Sequence, residues 1–234
     1  MAPVETIEVA LPTLELPTED GVPLETSWHR MEINLLIEVL GYYWRQRSDF
    51  YCGGNMFLYY SLEQVRHRDY RGPDFFVVLG VDGSYLRKAW VVWEEGGRYP
   101  NLIIELLSTS TAQKDKTVKK ALYEQTFRTP EYYCYDPERQ ELMGWRLVRG
   151  SYEPIEVDAR GWLWSEQLGL WLGRWEGEYQ EKRAFWLRFY DAAGNLVPLR
   201  AEAEARRAEA EARRAEAAEA ELAQLRVRLA ELEE

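Results

Sequence analysis

The spacing of apolar and polar positions changes several times along the chain, and each change marks an element. From Ser27 onward Met31, Leu35, Leu36, Val39 and Leu40 recur at helical spacing, with Ser27 able to cap and Gly41 suggesting the end, so a first amphipathic helix is expected there. Residues 49–61, with Phe50, Cys52, Met56, Leu58 and Tyr60, read as a strand with a bend or bulge at Gly53-Gly54. Phe75 to Val81 is almost continuously apolar, the pattern of a buried strand; residues 89–93 suggest an extra strand and residues 95–98 a turn. Asn101 to Ser108 is another short apolar run, bounded by Pro100 and a Ser/Thr cluster, and it carries Glu105 in its middle. Residues 112–127 predict a second helix with Val118, Ala121, Leu122 and Gln125 on one side and Lys116, Lys119, Lys120 and Tyr123 on another. Two strands follow, 131–135 and 141–148, joined through Asp136-Pro137. Helix, strands, helix, strand in that order describes an α/β sandwich built on a mixed sheet.

The ends of the chain differ from this middle. Residues 1–26 carry Pro3, Pro12, Pro17 and Pro23 and read as an extended arm. Residues 150–198 are strand-like and rich in tryptophan (Trp162, Trp164, Trp171, Trp175, Trp186), which without interleaved basic residues points to core and wrapping aromatics. From Arg200 an Ala/Glu/Arg unit repeats every seven residues, a run of strong helix formers. Leu222, Leu225, Leu229 and Leu232 have the 3-4-3 spacing of a coiled-coil seam, but carrying that register backward places Glu204 and Glu211 in it. Two readings of this tail stand: a solvated charged helix, or a self-associating one that makes a homodimer. The organisation is therefore an arm (1–26), a globular domain (27–198) and a charged helix (199–234).

Composition narrows the class. Of the 234 residues 46% are hydrophobic and 14% aromatic, enough for a sizeable core and unlike a disordered chain. Cys52 and Cys134 have no metal-ligand spacing and form no framework, which suits a reducing cytosol. The acidic start has no secretory pattern and no apolar run is long enough to span a bilayer, so a soluble cytoplasmic protein with no membrane partner is expected. A net charge of −11 argues against indiscriminate coating of nucleic acid, so any such site must be a local basic patch.

The chemistry gathers around Glu105. A lone carboxylate in a buried strand costs several kcal/mol unless it is compensated, so Glu105 needs a cation. The lysine-rich segment 114–120 is placed to bring cations back over the strand. If the strands beginning after Asp74 and containing Glu105 pair antiparallel, the start of one lies beside the end of the other, and both carboxylates converge at one edge of the sheet. Such a pair repels itself unless one member protonates or a divalent cation sits between them; hard oxygen ligands suit Mg²⁺ or Mn²⁺.

Pro73-Asp74, Glu105-Leu106-Leu107-Ser108-Thr109-Ser110-Thr111, Asp115, Lys119, Tyr123 and Glu131-Tyr132-Tyr133 together resemble the motif string of the Uma-type restriction endonuclease family abundant in cyanobacteria, within the PD-(D/E)XK nuclease superfamily. The likeness spans about residues 18–198. It implies a restriction-endonuclease-like fold, a four-stranded mixed sheet flanked by helices, here followed by a long charged C-terminal helix. It also implies that Asp74 and Glu105 are metal ligands. The chain departs from the superfamily pattern at one point: position 107, where a catalytic lysine is expected two residues after the second acid, is leucine. A lysine from the following helix is then expected to take over; Lys119 matches the family pattern, with Lys120 and Lys116 as alternatives.

These readings converge on a Mg²⁺-dependent (or Mn²⁺-dependent) endonuclease acting on nucleic acid, DNA by preference. Asp74 and Glu105 would hold the metal and Lys119 would orient water or stabilise the transition state. Arg66, Arg68, Arg71, Lys116 and Lys120 would form the phosphate-binding patch. Asp115 reads as a first-turn residue favoured by the helix dipole and paired with Lys119. Glu25 and Glu32 are candidate additional carboxylates near the metal, and His29 and His67 are too isolated to serve as bases. The alternative is a catalytically inactive nuclease-fold interaction protein that assembles through its C-terminal helix.

Overall fold

The computed structural model describes residues 26–67, 72–108 and 112–232, with backbone alone at 65–67, 114, 227 and 230–232. The chain divides into two compact units at Val197–Pro198.

In the first unit, helix α1 (Ser27–Tyr43) begins where the Thr26 side chain accepts a hydrogen bond from the His29 backbone N–H, one of the donors a helix start leaves unpaired. Its apolar stripe, with Ile33, Leu36 and Leu40 buried, packs against strands from two of the three sheets. The strands are β1 (Phe50–Gly53), β2 (Leu58–Tyr59), β3 (Phe75–Leu79), β4 (Trp90–Val91), β5 (Leu102–Leu106), β6 (Glu131–Asp136), β7 (Glu141–Val148), β8 (Ser151–Pro154), β9 (Leu163–Ser165), β10 (Leu170–Tyr179) and β11 (Lys182–Tyr190). A short helix α2 (Leu62–His67) follows β2, and the helical segment α3 covers residues 112–127.

The main sheet has six strands in the order β1-β3-β5-β6-β7-β8 and is mixed, because β5 and β6 run parallel while all its other pairs are antiparallel. A parallel pair needs a crossover, and α3 supplies it. β3 and β5 are buried on both faces, which is why their sequences run apolar without alternation. Phe76, Val78, Ile103, Leu107, Tyr132 and Cys134 share one core cluster with Tyr123 and Phe127 of α3. Phe75 belongs to the other face, where its ring meets Phe189 of β11 at 6.2 Å. β9, β10 and β11 form a separate antiparallel sheet that carries the tryptophans as wall and core: Trp162 stacks on Tyr190 at 3.8 Å and Trp186 is buried.

Several expectations need correction. Residues 49–61 are not one bent strand: β1 joins the main sheet, whereas β2 pairs in parallel with β4, only two residues long, in a ribbon of their own. The chain turns away at Gly54, where a Cβ would come within 2.3 Å of the Asp74 carbonyl oxygen. The sheet has six strands where the family resemblance implied four.

The helix at 112–127 does not bury the side that carries Val118: Val118 is 55% exposed, whereas Asp115, Tyr123 and Phe127 are buried. The reason is geometric. Asp115–Lys119 and Tyr123–Phe127 are π-helical turns, and only the short pieces between and before them are α-helical. In an α-helix residues four apart drift by about 40° per step, but wider π turns keep Asp115, Lys119, Tyr123 and Phe127 nearly in line along the sheet. The wide turns thus point polar side chains inward at one end and aromatic ones at the other.

The second unit contains α4 (Arg200–Leu232), a 33-residue helix. The Glu202 carboxylate accepts from the Leu199 backbone N–H at 2.8 Å, and Arg200 pairs with Glu204 at 2.8 Å along the first turn.

Candidate active site

β3 and β5 are antiparallel with Phe75 opposite Ile104, which puts Asp74, one residue earlier, across from Glu105. The Leu106 N–H donates to Asp74 Oδ2 at 2.7 Å, so the aspartate is tied to the backbone immediately after the glutamate. This register makes the two carboxyl groups cross-strand neighbours, close enough for each to bear on the other's titration. Gly54 fixes the other side of Asp74: besides the Asp74 carbonyl oxygen, a Cβ there would meet Ile33 Cγ2 at 2.4 Å, and the Asn55 N–H donates to the Pro73 carbonyl at 3.1 Å.

Glu105 is fully buried, and α3 supplies its partners. Lys119 Nζ donates to Glu105 Oε2 at 2.9 Å, and the Tyr123 hydroxyl donates to Oε1 at 2.7 Å. The same ammonium lies 2.8 Å from Asp115 Oδ1. Asp115 is itself buried, and its backbone carbonyl accepts from the Tyr132 hydroxyl at 3.0 Å, which locks the first π turn onto β6.

Burial and neighbouring charge together decide how these groups titrate. Burial pushes the Glu105 carboxyl up to about 7, with the negative Asp74 adding to the rise and Lys119 opposing it. Asp74 keeps some contact with solvent but is also raised by burial, against the opposing effects of Lys119 and of the Leu106 hydrogen bond. Burial works against the charged form of Lys119, yet Glu105, Asp115 and Asp74 together outweigh it and hold its pKa above the ordinary value. Three carboxylates thus share one ammonium, and the cluster is short of positive charge whenever Glu105 ionises.

A family model described as putative restriction endonuclease, Uma2, matches residues 10–176. The chain belongs to the Uma2 family. The crystal structure of a putative nuclease belonging to DUF820 from Anabaena variabilis is similar, with a TM-score of 0.46 and 15% sequence identity over 68% of this chain and 86% of that one. No curated protein matches. Membership makes this a chain of a nuclease family, in which divalent metal ions are the usual cofactors. Among the described residues no helix is long and apolar enough to cross a membrane.

The donor set fits a divalent cation. Asp74 and Glu105 offer hard carboxylate oxygens at one sheet edge, and their local charge is in deficit of a cation. No group of three or more His, Cys, Asp or Glu among the described residues forms a ready-made metal cage. Two carboxylates with the remaining positions left to water and substrate phosphate is the arrangement Mg²⁺ favours.

Lys119, rather than Lys116 or Lys120, is the lysine that reaches the acids; Lys120 instead lies 4.4 Å from the Trp145 ring centroid, and Lys116 makes no contact with either carboxylate. Glu32 is not part of the cluster: it is buried against β11, where its Oε2 accepts from the Leu187 N–H at 3.1 Å and Arg188 faces it. Glu25, Arg68, Arg71 and the side chains of Arg66 and His67 lie outside the described residues.

Sequence reasoning gave no site role to Tyr123 or His29. Tyr123 is signalled by its place four residues after Lys119 on the helix that Glu105 needs. His29 has no such signal, because its partner is 77 residues away: its Nε2 donates to the Leu106 carbonyl at 3.1 Å, and its Nδ1 lies 2.8 Å from Thr26 Oγ1. Leu106 is therefore held from both sides, by Asp74 at its N–H and by His29 at its carbonyl.

Proposed function

We propose that this protein is a metal-dependent endonuclease that hydrolyses phosphodiester bonds, with DNA as the substrate and Mg²⁺ (or Mn²⁺) as the cofactor. The observation that carries this reading is the meeting of Asp74, Glu105 and Lys119 from three separate elements at one end of β5. Asp74 and Glu105 would hold the metal, which when bound supplies an acidified water and neutralises charge on the phosphate. Lys119, partly exposed at 17% and positively charged at any working pH, is placed to donate to a phosphoryl oxygen or to align the attacking water. Asp115 positions that ammonium, and Tyr123 orients the Glu105 carboxylate by donating to its second oxygen. Lys116 and Lys120 stand on the same helix, where they would extend the contact to neighbouring phosphates.

The test is cleavage of supercoiled plasmid in Mg²⁺ or Mn²⁺ by the full chain beside Asp74→Asn, Glu105→Gln and Lys119→Met. Cleavage by the parent and loss of at least a hundredfold in each variant is expected; activity that persists in all three would overturn the assignment. A second reading, a non-catalytic scaffold, draws support from one observation: both Glu105 oxygens are already engaged, by Lys119 and by Tyr123. Under that reading no metal elicits cleavage, and the variants differ from the parent only in stability.

A further inference from the structure

We propose that α4 pairs with the same helix of a second copy of this chain, parallel and in register, through a seam running from Ala215 to Leu229. Leu222, Leu225 and Leu229 are 53%, 53% and 61% exposed, large apolar side chains on a helix whose other residues are Ala, Glu and Arg apart from Gln224, Val227 and Leu232. Their 3-4 spacing makes Leu222 and Leu229 equivalent positions of a heptad and Leu225 the other seam position, with Ala215 and Ala218 continuing the seam one heptad earlier. Glu211 ends it, because a further layer would set two carboxylates face to face.

The flanking charges identify the occupant. In this register the residues beside the seam are Arg214, Glu221 and Arg228 on one flank and Glu219 and Arg226 on the other. In a parallel in-register pair the flank residue before one layer faces the residue five positions later on the partner helix. That sets Arg214 against Glu219 of the second copy and Glu221 against Arg226, attractive in both cases and doubled by symmetry.

A second feature separates this half of the helix from the first. In the proximal repeat Glu202 and Arg206, and Glu209 and Arg213, stand four apart, the spacing of pairs within one helix. Glu219, Glu221 and Arg226 have no oppositely charged residue three or four positions away on their own helix. Their charges serve a partner, and the partner they complement is this same sequence. On the proposed nuclease function, tails joined in this way would hold two catalytic domains at high effective concentration on one duplex; the pairing itself does not depend on that function.

Sedimentation equilibrium of the full chain over a wide concentration range tests the pairing without reference to cleavage. A monomer–dimer equilibrium is expected; a monomer at every concentration overturns the proposal, and a trimer or tetramer overturns its two-stranded register. Leu225→Asp with Leu229→Asp should abolish the dimer. Glu221→Arg places arginine against Arg226 twice and should weaken association about tenfold, and adding Arg226→Glu should restore it. Circular dichroism on each variant separates lost pairing from a lost helix, and a double charge swap that fails to restore association while the helix stays folded counts against the register. Ala218→Cys should cross-link two copies under mild oxidation if the helices are parallel; an uncross-linked dimer would sink the parallel orientation.

Discussion

Neutralising Glu105 should open a stability advantage over the parent that widens from pH 5 to 8. Its carboxyl titrates near 7 in the fold and near 4.5 in an unfolded chain. Below pH 4.5 both states hold the proton. Between 4.5 and 7 the unfolded chain sheds it while the folded protein keeps it, so stability falls as pH rises and the loss is complete above the folded pKa. A separation of about 2.5 pH units at 1.36 kcal/mol each comes to about 3 kcal/mol. Glu105→Gln carries an uncharged group of the same shape at every pH. Urea unfolding of parent and variant at pH 5, 6, 7 and 8, without divalent ions, should show similar stabilities at pH 5 and the variant ahead by about 3 kcal/mol at pH 8. Using the difference between the two proteins cancels Glu32, whose buried carboxyl is also raised and adds a slope of the same sign. Millimolar Mg²⁺ at pH 8 should then stabilise the parent and not the variant, by about 2.7 kcal/mol at a hundred times the dissociation constant. A difference that stays flat from pH 5 to 8, or moves in favour of the parent as pH rises, would refute the reasoning, because Glu105 would then be ionised throughout and satisfied by Lys119 alone.

Three further outcomes follow from the same contacts. Tyr123→Phe removes the 2.7 Å donor to Glu105 Oε1 without changing shape and should cost about 1–3 kcal/mol in urea unfolding while moving the Glu105 titration upward. Gly54→Ala drives a methyl group into the Asp74 backbone and Ile33; a loss of about 1–3 kcal/mol in chemical denaturation, with plasmid cleavage falling more than for other variants of equal stability, is expected. Ser165→Ala strips the hydroxyl that donates to buried Glu131 and accepts from the Leu168 N–H, and because this cluster adjoins the opposite end of β6, it should lower stability by about 1–3 kcal/mol and leave cleavage per folded molecule unchanged.

What the sequence by itself determined was local. Period and punctuation marked α1, β3, β5, α3, β6, β7 and α4, because unbroken apolar runs and helical spacings are written in consecutive residues. The pairing of Asp74 with Glu105 was also legible, since antiparallel strands joined by an excursion bring the start of one to the end of the other. The tertiary structure decided what depends on distant partners. Pattern alone grouped Val118 with Ala121, Leu122 and Gln125 on one side of α3; which side is buried was decided by seating Asp115, Lys119, Tyr123 and Phe127 along one sheet through π turns, which leaves Val118 outward. Glu32 falls on the core side of α1, but only packing against β11 shows that it answers Leu187 and Arg188 and not the edge where Asp74 and Glu105 meet. His29 meets Leu106 across 77 residues, a contact no periodicity encodes, because hydrogen bonds between elements are chosen by how the layers stack and not by what lies beside them in the chain.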